Sequence, residues 1–115
     1  MLEHLPSGAA AIALLRRCAE LLTDRGIVIV LQPNFRLTGR AYFDFIDHKT
    51  VLTDASVREA LDIAGLRLRK QIVRFLPYTT KSRLPAHPWV VRWYLRLPPL
   101  WRIFGRQSLF VAERR

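Results

Sequence analysis

Apolar positions along the chain fall into two helical stripes and three strand-like runs. Leu14, Leu15, Cys18, Leu21 and Leu22 recur at i, i+1, i+4, i+7 and i+8, which places them on one helical face. Ser7 stands where an N-cap belongs, and Gly26 fits the left-handed residue that ends a helix. Ile27 to Leu31 is an unbroken aliphatic run without alternation. Such a run predicts a strand buried on both faces, as in parallel α/β sheets, and Pro33 stops it. Residues 35–52 read as a long loop rich in aromatics: Phe35, Tyr42, Phe43 and Phe45. Thr53 or Asp54 caps a second helix, whose stripe is Val57, Ala60, Leu61 and Ala64 and whose end is Gly65. Leu66 to Leu76 reads as a strand, and Ser108 to Glu113 as a final one. Between them, residues 77–107 hold most of the prolines and all three tryptophans. They predict irregular chain with one short helix near Trp89–Leu97. The pattern is that of one partial α/β domain, 1–76 with 108–115, carrying a basic aromatic insertion at 77–107.

Charge divides the chain unevenly. Of its 115 residues, 1–65 carry seven Lys/Arg against eight Asp/Glu, whereas 66–115 carry twelve against one, Glu113. A field of that kind attracts anions such as nucleic acid, acidic lipid headgroups or a phosphorylated substrate; it also describes an arginine-rich solvated face. Cys18 is the lone cysteine, which excludes an internal disulfide and suits a reducing, cytoplasmic setting. The first residues, Met1-Leu2-Glu3-His4, lack the basic start and apolar run of a secretory signal. No run reaches the eighteen apolar residues a membrane-spanning helix needs.

Four local motifs stand in order along the chain: Leu2-Glu3-His4-Leu5-Pro6; Leu21-Leu22 through Asp24-Arg25-Gly26 with Ile27-Val28-Ile29-Val30; Gln32-Pro33-Asn34; and Leu52-Thr53-Asp54-Ala55-Ser56 with Glu59-Ala60-Leu61 and Ala64-Gly65-Leu66. Together they resemble the back half of a class I S-adenosylmethionine-dependent methyltransferase. The first is similar to the turn after that fold's fourth strand, the second to the approach to its fifth, the third to the closing of that strand and the fourth to the helix before its sixth. The resemblance covers 2–76 and 108–113. It implies a Rossmann-like, C-terminal-half architecture with a mixed sheet ending in an antiparallel strand. Strand 27–32 would pair with 108–113, and 108–113 with 66–76. It also implies S-adenosylmethionine as the cofactor of the complete enzyme. The Gly-rich turn and ribose-binding acid of the family's front half have no counterpart, since none of the five glycines forms G-x-G. The chain therefore reads as a truncated half, not expected to bind cofactor alone, that needs an N-terminal partner or self-associates.

Ligands of open α/β sheets sit beyond the carboxyl ends of the strands. By resemblance, Glu3 and His4 lie at one such end, and Asn34 at the next. Methyl transfer needs an aligned acceptor and often a base. His4 is the first candidate base; it is also an ordinary turn histidine. Asp44, Asp47 and His48 form D-x-x-D-H on the aromatic loop, where an Asp can fix the tautomer of a neighbouring His. Three such residues without a fourth make a poor metal site, and loop hydrogen bonding accounts for them equally. Catalytic candidates are thus His4, Asp47 and His48; substrate-binding candidates are Glu3, Asn34, Tyr42 and Asp44. Asn34 serves equally as a cap, and Cys18 reads as a small core residue. The acceptor would be a small or lipid-linked molecule. The stretch Pro88–Arg106 interleaves tryptophan, tyrosine and arginine with aliphatics and contains no acid. That composition suits an anionic membrane surface, at the inner face of the membrane, or a lid over the sheet. It suits nucleic acid less, because no such module is recognisable. The reading that competes with the enzyme is a basic, non-enzymatic peripheral module for anionic membrane or a partner chain.

Overall fold

A computed structural model describes residues 2–39, 42, 46, 49–76 and 88–115. After a 3-10 turn at Leu2–His4 come α1 (Gly8–Leu21), β1 (Ile27–Pro33), α2 (Phe35–Thr38), α3 (Asp54–Ile63), β2 (Leu66–Leu76), α4 (Pro88–Arg96), α5 (Pro98–Phe104) and β3 (Gln107–Arg114). Local chemistry sets most boundaries. The Ser7 hydroxyl accepts the Ala10 N–H at 3.2 Å and so caps α1. Thr53 and Ser56 exchange side-chain and backbone hydrogen bonds in a capping box that opens α3. Gly65, at φ +84°, supplies the left-handed residue that turns α3 into β2.

The sheet has the order β1-β3-β2. Ile27 lies opposite Glu113 and Pro33 opposite Gln107, in antiparallel register. On its other side β3 pairs antiparallel with β2, Leu66 opposite Arg114 and Ile72 opposite Leu109. The pairing expected from the resemblance is therefore present, with the last strand inserted between the other two. A mixed sheet, however, is not what the described residues form: both pairings are antiparallel. A parallel pairing needs a strand on the outer edge of β1, and none lies there among the described residues.

The core fills one side of the sheet. Leu15 of α1, Val57 and Leu61 of α3, Leu66 of β2 and Phe110 and Ala112 of β3 meet there. Burial alternates along β3, with Ser108, Phe110 and Ala112 inward. Arg67 and Glu113 sit opposite one another on β2 and β3 and bond at 3.0 Å. That hydrogen bond holds the Glu113 carboxyl below its usual pKa. The passage from α5 into β3 is tight. A Cβ at Gly105 would lie 2.5 Å from the Trp101 carbonyl oxygen and 2.6 Å from the Arg74 backbone, so only glycine fits.

Four details depart from the sequence pattern. The strand β1 is buried on one face only: Val30 and Gln32 point inward, whereas Ile27, Ile29 and Leu31 are exposed, Ile29 at 61%. The helices α1 and α3 cover a single side, so among the described residues the aliphatic run has no second layer above it. Leu21 is exposed because α1 buries a narrower stripe, centred on Ala11 and Leu15. Gly26 is not left-handed. It instead sits against Leu22 and Thr23, where a Cβ would approach to 3.0 Å. The pattern at 77–107 predicts one short helix, whereas a second one, α5, follows it, started by Pro98 and Pro99 as proline does at the first helical positions.

The outer edge of β1 presents unpaired backbone groups with no charged residue from Ile27 to Gln32. Uncharged apolar edges template strand pairing between molecules. The chain is expected to self-associate as concentration rises, and Ile29→Lys to shift it toward monomer, as followed by sedimentation velocity. A parent that stays monomeric throughout would show that the edge is protected.

Candidate functional site

The carboxyl end of β1 meets three other segments: the Leu2–Leu5 turn, residues 49–54 and the start of β3. Five polar residues are buried here, Glu3, Gln32, Asn34, Thr50 and Ser108. In a small domain such burial demands hydrogen bonds, and the chain provides most of them internally. The Glu3 carbonyl accepts the Lys49 and Thr50 N–H groups at 2.8 and 3.1 Å. The Thr50 hydroxyl donates to the Leu5 carbonyl. These bonds tie the first turn to the segment before α3.

Asn34 is the junction of this region. Its amide nitrogen donates to Asp54 Oδ1 at 2.9 Å and to Ser108 Oγ at 3.1 Å, and its amide oxygen accepts the Arg36 N–H at 3.0 Å. The Ser108 hydroxyl in turn donates a hydrogen bond to the Val73 carbonyl at 2.6 Å. One side chain thus links β1, α2, α3 and β3, and through Ser108 also β2. Arg36 Nε lies 3.5 Å from Asp54 Oδ1. The chain folds this way because Pro33 ends β1, and Asn34 then caps the short helix behind it.

The candidate residues separate into three groups. Glu3 and His4 come together, with His4 Nε2 3.5 Å from Glu3 Oε1. The imidazole is exposed while the carboxylate is enclosed, so a carboxylate is placed to orient an accessible ring. Burial pushes the Glu3 carboxyl pKa up, but hydrogen bonds, its own backbone N–H among the donors, outweigh this, and the net shift is downward. Asn34 and Tyr42 are fully buried. The Tyr42 hydroxyl donates to the Thr50 carbonyl, and its ring meets Phe35 edge-on with centroids 5.6 Å apart. Asp44, Asp47 and His48 lie outside the described residues.

Gln32 is the buried polar residue that the sequence pattern understates. It lies 1% exposed at the end of β1, and neither its amide nitrogen nor its amide oxygen has a partner in hydrogen-bond geometry among the described residues. The amide lies close enough to Glu3 to help hold its carboxyl below the usual pKa. An orphaned buried amide costs about 1–3 kcal/mol. Its signal in the sequence is slight: one polar residue closing an aliphatic run. A surface concavity of about 410 Å³ lies elsewhere, between β2 and α5, lined by Ile72, Arg74, Trp101 and Arg102 among others. Among the described residues, then, the strand end is a braced polar junction with an exposed histidine beside it.

No protein-family model matches the chain, and no curated protein matches it. Among solved structures, it is similar to an O-methyltransferase from neocarzinostatin biosynthesis in complex with S-adenosyl-L-homocysteine and 1,4-dihydroxy-2-naphthoic acid, at 18% identity and a TM-score of 0.56. The match covers 99% of this chain but 27% of that one. The chain thus has a methyltransferase-like fold and spans about a quarter of the length of the enzyme it resembles.

Proposed function

We propose that this chain is the C-terminal portion of a class I S-adenosylmethionine-dependent methyltransferase, inactive by itself, whose acceptor is a small or lipid-linked molecule. The observation that carries the reading is the strand order β1-β3-β2 with an antiparallel central strand, which agrees with the order the four sequence motifs imply. The likeness to a solved O-methyltransferase supports it at the level of fold. The exposed apolar face of β1 supports it too, because Ile27, Ile29 and Leu31 are suited to a further layer. In this reading His4 is the accessible base at the transfer site and Glu3 holds its ring.

The described residues do not make a cofactor pocket unaided. The polar side chains at the end of β1 bond mainly to one another, and no glycine turn approaches them. Calorimetric titration of the 115-residue chain with S-adenosylmethionine is therefore expected to give no binding heat. The same titration of a product extended in frame upstream is expected to give micromolar affinity. An extended product that does not bind, or micromolar binding by the chain alone, would overturn the reading.

A further inference from the structure

The helices α4 and α5 are fastened to β2 by one set of aromatics and present another to solvent. Tyr94 donates its hydroxyl to the Phe75 carbonyl, and Trp101 donates its indole N–H to the Tyr94 carbonyl at 2.8 Å. The Trp101 ring stacks edge-on against Phe75 with centroids 4.8 Å apart. That contact removes Trp101 from the residues available to a partner, although the sequence alone sets it beside the other two tryptophans. Trp89, Arg92, Trp93 and Arg96 stand at i, i+3, i+4 and i+7, a single stripe along α4. The stripe lies away from Tyr94, and the two rings are 59% and 53% exposed. On α5, Arg102, Ile103 and Phe104 are exposed as well. No acidic residue occurs between Asp62 and Glu113.

We propose that this stripe docks the protein on an anionic lipid bilayer, lying in the headgroup zone without crossing it. The inference stands apart from the methyltransferase reading, since it uses no residue of the β1 end. Indole rings have an apolar body and a polar N–H, which suits the boundary between headgroups and acyl chains. Guanidinium groups one turn apart on the same face meet lipid phosphates. The exposed neighbours decide between lipid and nucleic acid. Val90, Ile103 and Phe104 are apolar and gain by entering a bilayer boundary, but a sugar-phosphate backbone gives them nothing to contact. No helix among the described residues is long and apolar enough to cross a membrane, so the contact is peripheral.

Co-sedimentation with phosphatidylcholine vesicles containing phosphatidylglycerol, against phosphatidylcholine alone, tests this. Binding is expected to require the anionic lipid and to weaken as salt approaches 1 M, where screening shortens to about 3 Å. Each basic side chain near such a surface contributes about 1 kcal/mol. The triple change Arg92→Gln, Arg96→Gln and Arg102→Gln should therefore lower the partition coefficient roughly a hundredfold. With Trp89→Ala and Trp93→Ala the vesicle-induced blue shift of tryptophan fluorescence should vanish, because the remaining Trp101 packs on Phe75 and reports the folded state. The substituted side chains are exposed, so circular dichroism should match the parent. On the unsubstituted chain, brominated lipid should quench the fluorescence. Equal binding to neutral vesicles, an unchanged triple variant, absent quenching, or binding to a single-stranded oligonucleotide with vesicles ignored would each overturn the proposal.

Discussion

Phe110→Ala is expected to lower the stability of the fold by about 3–5 kcal/mol. Phe110 is 1% exposed on the central strand, opposite Val30 on one side and Gln71 on the other. Its ring belongs to the core that α1 and α3 share with the sheet, so truncation opens a cavity where three layers of contact converge. Small domains have about 5–15 kcal/mol in total, and this loss would bring the chain close to unfolding at room temperature. Urea titration followed by circular dichroism measures it: the midpoint should drop with the slope unchanged. Leu109→Ala is the control, one residue away on the less buried face of the same strand. It should cost less than half as much. Equal losses would mean that the core is not confined to one side.

Asn34→Ala should be the next most damaging change, at about 2–3 kcal/mol, the sum of a lost helix cap and of buried groups left unbonded. The Arg36 N–H loses its acceptor, and Asp54 and Ser108 lose a donor. Combining it with Ser108→Ala separates the parts. Two residues in one hydrogen-bond network should be coupled by about 0.5–3 kcal/mol. Thermal unfolding of the parent, both single variants and the double variant supplies the cycle. Additive losses would show that Asn34 and Ser108 act independently. A variant as stable as the parent would show that the Asn34 amide is free to serve a ligand instead of bracing the strand ends.

The parts of this fold that were legible in the sequence are those fixed by short-range chemistry. Thr53 with Ser56, Gly65 and the aliphatic runs mark α3, β2 and β3 almost to the residue, and the sheet order followed from resemblance. What sequence could not show depends on what lies above each surface. An unbroken run at Ile27–Leu31 has the composition of a strand with two covered faces, yet only one cover is present among the described residues. Pro98-Pro99 is equally ambiguous, because the same pair breaks a helix from within and begins one from outside. At the site, Asn34 was visible as a polar residue after a strand. Its partners Asp54 and Ser108 stand 20 and 74 residues away, a distance that no local pattern spans. Gln32 was the least legible, since its orphaned amide is a property of the enclosure around it.

The central strand is also the last of the three along the chain. Among the described residues β1 and β2 do not pair with each other, and β3 is the strand that pairs with each. During synthesis, therefore, the pairings of the first two strands with β3 cannot form until residues 107–114 have left the ribosome. Until then the aliphatic run of β1, which ends at Pro33, is without its β3 partner, which starts at Gln107, and closing so wide a loop is slow. A nascent chain of this design has a vulnerable interval that its finished form does not. Any cellular factor that shields extended apolar segments would act on β1 first.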